Sequence, residues 1–74
     1  MIVSGLKDAT IRQIQTIDIH GTRLYDIAYS HDEAPEAVRT ARLGTEAVYT
    51  GIQAGDRVRV SYLMNVATGV LRRT

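Results

Sequence analysis

The 74-residue chain has no cysteine, phenylalanine or tryptophan and only one proline. The lack of cysteine excludes disulfide bonds and metal sites built on thiolates. Without Phe and Trp, the bulk of the core must come from Ile, Val, Leu, Met and the four tyrosines. A chain this short buries only about 60% of its unfolded surface. We therefore expect one small domain spanning residues 1–74, with a marginal core that self-association or a partner would help to stabilise.

Long apolar segments are also missing. No run of eighteen apolar residues occurs, so no segment is predicted to span a membrane. The first residues lack the basic region and the long apolar region of a signal peptide. A cytoplasmic location is the default expectation from these two absences.

Net charge is low, but its sign is unevenly distributed along the chain. Residues 1–36 carry three basic and six acidic side chains, a net charge of −3, whereas residues 37–74 carry six and two, a net charge of +4. Eight of the nine basic residues are arginine. The guanidinium group suits phosphate and carboxylate partners, although genome composition also enriches arginine over lysine.

The clearest secondary-structure signal is the alternation in residues 57–64. One parity is apolar and the other mostly polar, which is typical of a strand with one buried face. Gly55 and Asp56 predict a tight turn just before it. The expected inner face holds Val58, Val60, Tyr62 and Met64, and the expected outer face holds Arg57, Arg59, Ser61 and Leu63.

Two more strands are predicted at residues 10–19 and 22–30. The short link His20-Gly21 predicts an antiparallel hairpin between them. Residues 1–8 are expected to be a ragged start. In the second strand Tyr25 and Tyr29 share a face with Ile27, and we expect both tyrosines in the core, because exposing them would bury Asp26 on the other face.

A break in parity marks the first of these strands. Ile11, Ile17 and Ile19 share one face, but Ile14 falls on the other. One extra residue reverses the facing of a strand, so a bulge or bend between Ile11 and Ile14 accounts for the break. The spacing of three between Ile11, Ile14 and Ile17 also fits a helix, which remains the alternative.

The remaining segments are short. Residues 30–36 predict a polar loop, and residues 36–43 fit either a strand, which we favour, or a short helix. Residues 45–50 predict a helical turn with Thr45 as N-cap and Gly51 as terminator. Residues 65–69 predict a turn, and residues 70–74 a last short strand.

This order of elements resembles the oligonucleotide/oligosaccharide-binding (OB) fold. The resemblance is carried by the order and by the pattern Ile52, Gly55, Asp56, Val58, Val60. It implies a mainly β, small five-stranded barrel with one short helical turn. An SH3-like barrel or an open α+β sheet fits the same order.

Catalytic and metal chemistry have weak signals. His20 and His31 have carboxylates near them in sequence, but their spacing matches no metal motif, and both are expected to be solvated loop residues. The three serines lack a nucleophile elbow, and no glycine-rich phosphate loop occurs. We expect no enzyme, no cofactor and no bound metal.

The strongest functional candidate is a basic surface. Arginines lie on the outer face of strand 57–64, on the terminal strand at residues 70–74 and on the third predicted element, residues 36–43. They would gather on one side of a barrel and contact single-stranded DNA or RNA. The predicted nucleic-acid-binding residues are Arg57, Arg59, Arg72, Arg73, Arg39, Arg42 and Tyr49. The alternative for these arginines is an ordinary solvated exterior whose aliphatic stems cover apolar surface.

A second hypothesis is a module that binds a partner protein or forms a homo-oligomer. Leu63 is expected on an outward face beside a strand edge, and Leu24 is a second candidate for such a position. A small core points in the same direction.

Overall fold

The structure of the chain is a computed structural model that describes residues 4–73. It is mainly β, as predicted, with five antiparallel strands in one sheet and one 3-10 turn at Thr45–Ala47. The strand order across the sheet is β3-β2-β1-β4-β5. The strands are β1 (Ser4–Ile19), β2 (Thr22–His31), β3 (Val38–Gly44), β4 (Arg57–Leu63) and β5 (Val66–Arg72).

The sheet is bent around β1, which belongs to two ladders. Residues 4–10 pair with β4, and residues 9–19 pair with β2. The register with β2 shifts between Ile11 and Gln13, so Arg12 is the extra residue of a β-bulge. The parity break at Ile14 predicted this irregularity correctly. A bulge bends its strand and increases its twist, which lets one long strand serve both halves of the sheet.

Hydrogen bonds hold the bend in place. The amide of Ile11 donates to the carbonyl of Asp56 at 2.9 Å, and the amide of Gly55 donates to the carbonyl of Ile11 at 2.8 Å. Gly55 has φ +93°, a left-handed conformation that glycine adopts without steric cost. The predicted Gly55-Asp56 turn is thereby attached to β1 beside the bulge.

Two-residue turns join β1 to β2 and β4 to β5. His20 and Gly21 lie between the paired residues Ile19 and Thr22, and both have positive φ. Met64 and Asn65 have positive φ as well. Two central residues with positive φ are typical of the type I′ turn, whose twist matches that of the flanking strands.

The core lies on one face of the bent sheet. Segment 45–52 contributes Ala47, Val48, Tyr49 and Ile52, which pack against it. The carbonyl oxygen of Ala47 lies so near Gly69 of β5 that a Cβ there would be 3.2 Å from it. The buried apolar residues are Ala9, Ile11, Ile27, Tyr29, Leu43, Val58, Val60, Tyr62 and Val70.

The sheet is not closed by strand pairing. β3 and β5 are its edges, and no ladder joins them within residues 4–73. Segment 45–52 lies between these edges and covers the adjoining part of the core. A five-stranded antiparallel sheet is therefore established, whereas the closed barrel remains a prediction.

Several predicted boundaries differ from the structure. Residues 4–8, expected to be ragged, extend β1, while residues 1–3 lie outside the described part of the chain. The third element is a strand, as favoured, at 38–44 instead of 36–43. The turn expected at 65–69 is restricted to Met64 and Asn65, so β5 begins at Val66 instead of residue 70. Ladder pairing with β4 overrode the turn signal of residues 65–69.

Two side-chain roles were also predicted wrongly. Met64, expected on the inner face, is in the turn and 75% exposed. Thr45 is not the N-cap of the helical turn, which covers only residues 45–47. Gly44 occupies that position, without a side-chain hydrogen bond.

A pair of valine substitutions tests the assigned core face. Val60 is completely buried, whereas Val38 at the edge strand β3 is 59% exposed. We expect Val60→Ala to lower the free energy of unfolding by about 2–4 kcal/mol through lost transfer energy and a cavity. Val38→Ala, the matched control, should change it by less than about 0.5 kcal/mol. Chemical denaturation measures both, and equal losses would contradict the assigned face.

Candidate functional site

The outer face of the sheet, opposite the core, changes in character along β4. Nearest the bend, the register places Ser30, Thr10 and Arg57 side by side on three strands. The next row along holds Asp8, Arg59 and Leu71. The outer face is therefore polar and charged beside the bend and becomes apolar towards the β4–β5 turn.

Two carboxylates compensate the arginines of this face. Asp8 accepts from Arg59 at 3.0 Å and lies 3.0 Å from a guanidinium nitrogen of Arg73. The same nitrogen of Arg73 is 2.8 Å from Asp32. Only 14% of the Arg73 side chain is exposed. The hydrogen bond from Arg59, together with Arg73, lowers the pKa of Asp8 below its usual value, so Asp8 stays charged.

The structure brings only part of the predicted arginine set together. Arg57, Arg59 and Arg73 share the outer face of β4 and β5. Arg72 alternates to the opposite side, where its guanidinium lies 5.0 Å from the centroid of the Tyr49 ring. Strand alternation separates adjacent residues in this way, so Arg72 and Arg73 do not form one strip.

The two arginines of β3 lie apart from that group. Arg42 forms a two-point ion pair with Asp26 of β2, at 2.8 and 3.1 Å. Arg39 is opposite Tyr29 in the ladder, on the other face of β3 from Arg42. No ion pair of Arg39 occurs among the described residues.

Tyr49, one of the predicted nucleic-acid-binding residues, makes contacts within the protein. Its hydroxyl donates to Asp56 at 2.6 Å, and Asp56 also accepts the amide of Gln53 at 3.2 Å. Partial burial and the bond to Asp56 raise the pKa of Tyr49 to about 12. With Arg72 already over its ring, Tyr49 stabilises segment 49–56, and a base could stack on this ring face only by displacing Arg72.

A shallow pocket of about 300 Å³ lies at the bend of β1. Arg12, the bulge residue, donates to the carbonyl of Pro35 at 2.9 Å and is thereby held at the rim. Sequence reasoning missed Arg12 and Ser30 as site residues, although the parity break at Ile14 marked the bulge. This bend pocket is lined by Thr10, Arg12, Ser30, His31, Asp32, Pro35 and Arg57.

The opposite end of the outer face is apolar. Leu63 pairs with Val66 across the hairpin, and Leu6 pairs with Ser61, which faces the same side. Leu63 is outward as predicted, whereas Leu24 of β2 is only partly exposed. We call this surface the apolar end; it comprises Leu6, Leu63, Val66 and Leu71, with Met64 in the turn beside them, and each is 54–75% exposed.

A hydrogen-bonded polar network lies in the core. The hydroxyl groups of Tyr29 and Tyr62 are 2.8 Å apart, and Nε2 of His31 is 2.8 Å from the Tyr62 hydroxyl. His31 was expected in a solvated loop, but it ends β2 and is 3% exposed, because its partner in the ladder is the buried Ala9. The core positions predicted for Tyr29 and Tyr62 are confirmed.

Burial governs the protonation of this network. Desolvation, with Arg39 and Lys7 nearby, lowers the pKa of His31, outweighing the opposing charges of Glu33 and Asp32. Burial and the bond to Tyr62 raise the pKa of Tyr29. The neutral imidazole accepts at Nε2 when its proton is on Nδ1, so Tyr62 then donates to His31 and Tyr29 donates to Tyr62.

Within residues 4–73 no group of three His, Asp or Glu side chains is arranged to hold a metal ion. The same part of the chain has no helix long and apolar enough to cross a membrane.

Comparison with known proteins gives no relative. No protein-family model matches the chain, and no curated protein or solved structure shows significant similarity to it. The site must therefore be interpreted from its own chemistry.

The buried histidine predicts a pH dependence of stability. The pKa of His31 is lower in the folded than in the unfolded chain, so the unfolded chain binds more protons as pH falls below about 6.5. The free energy of unfolding should therefore decrease from pH 7 to pH 5. His31→Gln should reduce this dependence of the free energy of unfolding on pH, whereas His20→Asn, at the exposed hairpin turn, should retain the wild-type dependence. Denaturant titrations at several pH values measure it, and an unchanged slope in His31→Gln would disprove the assignment.

Proposed function

We propose that this chain is a non-enzymatic interaction module that associates with a second copy of itself through the apolar end. The observation that carries the proposal is the set of exposed Leu, Val and Met side chains on the outer face of β1, β4 and β5 and in the β4–β5 turn, with Leu63 and Val66 paired across the hairpin. Contiguous apolar surface on a small domain is typical of an interaction site.

The charges around the apolar end favour a second copy as the partner. Asp8 and Arg59 lie side by side at its border, one of each sign. Two copies related by a two-fold axis present the same patch to each other, so Arg59 of one copy can face Asp8 of the other. A net charge of only +1 produces little repulsion between copies.

The small core supports the same function. Within residues 4–73 nine buried apolar residues form it, and segment 45–52 packs against them. Domains of this size commonly gain stability by oligomerisation. Covering the apolar end would remove Leu6, Leu63 and Val66 from water and add to that limited burial.

A matched pair of valine substitutions tests self-association. Val66 in the apolar end is 63% exposed, and Val38 on the opposite edge strand is 59% exposed. A charge in a contact that excludes water is costly, so Val66→Glu should weaken dimerisation at least about tenfold. Val38→Glu should leave it unchanged. Size-exclusion chromatography with light scattering over a concentration series measures this, and a monomeric wild type at every concentration would refute the proposal.

A second candidate function, favoured by the free guanidinium of Arg57, is binding of single-stranded nucleic acid. On this proposal the sheet acts as an OB-like barrel whose gap is filled by segment 45–52. Arg57 is exposed on the outer face and has no ion pair within residues 4–73. Arg42, Arg59 and Arg73 already bind carboxylates, which reduces the charge they offer to a phosphate backbone.

Salt dependence tests the nucleic-acid function. Labelled single-stranded DNA and RNA are titrated at about 50 and 200 mM salt. The logarithm of affinity should decrease with the logarithm of salt concentration, and the steepness of this dependence should decrease by roughly 0.7 for each lost contact. Arg57→Glu should make the salt dependence less steep, and Arg23→Glu, at the remote hairpin, should not. Arg59→Glu is a poor probe because it would place a carboxylate beside Asp8. Absence of binding at the lower salt rejects this function.

A further inference from the structure

We propose that the bend pocket binds a phosphate group. The pocket combines two guanidinium groups from distant parts of the chain, Arg12 and Arg57, with the side chain of the buried Ser30. This inference does not depend on the apolar end, which lies further along the same face.

The two arginines have charge to offer. Arg12 donates to a carbonyl oxygen, which orients its guanidinium without neutralising it. Neither Arg12 nor Arg57 has an ion pair within residues 4–73. Like charges lining one pocket repel each other, and an anion between them converts the repulsion into attraction. The guanidinium fork matches the geometry of phosphate oxygens.

Ser30 supplies a polar side chain to the pocket. Ser30 is 2% exposed and is one of the residues that line the pocket. It is paired with Thr10, which is paired with Arg57, so the three lie in one row beneath the bulge residue. A serine hydroxyl can donate one hydrogen bond, and an oxyanion bound in the pocket would accept it.

One carboxylate, Asp32, also lines the pocket, and both of its oxygens already have partners within the protein. Asp32 accepts the Thr10 hydroxyl at 3.1 Å through one oxygen and binds Arg73 at 2.8 Å through the other. Its charge is therefore largely compensated by Arg73. With Arg12 and Arg57 included, the net charge of the side chains that line the pocket is positive, as an anion site requires.

Titration with inorganic phosphate tests the site. Backbone amide chemical shifts followed in a phosphate series, against sodium chloride at equal ionic strength, should move at residues 10–12, 30–32 and 57. Because hydrogen bonds to charged groups are the strong ones, Arg12→Gln and Arg57→Gln should each weaken phosphate binding at least about tenfold. Ser30→Ala should weaken it about 2- to 10-fold.

The control is Arg23→Gln, which removes an exposed arginine at the first hairpin and should leave phosphate affinity within about twofold, since a remote charge is screened. Equal losses in Arg23→Gln and Arg57→Gln, or no phosphate-specific shifts in the wild type, would overturn the site. A competing single-stranded oligonucleotide identifies the source of the phosphate. Displacement of phosphate by it indicates a nucleic-acid backbone, and no displacement indicates a small phosphorylated molecule.

Discussion

The bulge at Arg12 is the constraint on which the rest of the fold depends. It bends β1 so that residues 4–10 pair with β4 and residues 9–19 pair with β2, and the Ile11 hydrogen bonds to the 55–56 turn hold the bend. Without the extra residue Ile11 and Ile14, on the two sides of the bulge, would face opposite ways. The bulge therefore keeps one continuous core and also directs Arg12 towards the rim of the outer pocket.

The outer face separates two kinds of chemistry that share the same strands. Beside the bend, Asp8 and Asp32 neutralise Arg59 and Arg73. With Arg42 bound to Asp26, three of the six arginines in residues 37–74 are compensated within the described part of the molecule. Exposed ion pairs contribute little to stability, but they change which groups remain for a ligand. Arg57 has no ion pair within residues 4–73, and the exposed residues of the apolar end are uncharged.

The inner face has a polar network inside a small core. Tyr29, Tyr62 and His31 satisfy each other's hydrogen-bonding groups, which makes their burial tolerable. The arrangement favours the neutral imidazole, so the core that stabilises the sheet also makes its stability sensitive to acid. Nothing local to His31 in the sequence indicated this, because polar neighbours on its C-terminal side predicted a loop.

The sequence by itself determined the local structure: the alternation in residues 57–63, the hairpin at His20-Gly21 and the bulge before Ile14. These features follow from period-two patterning and turn chemistry, which act over a few residues. Tertiary structure decided the site. Asp8 meets Arg59 across 51 positions of sequence, because ladder register joins strands that are far apart in the chain. Register likewise buries His31 and lets Arg12 and Arg57 line one pocket, since pairing between distant strands is set by the packing of the whole core.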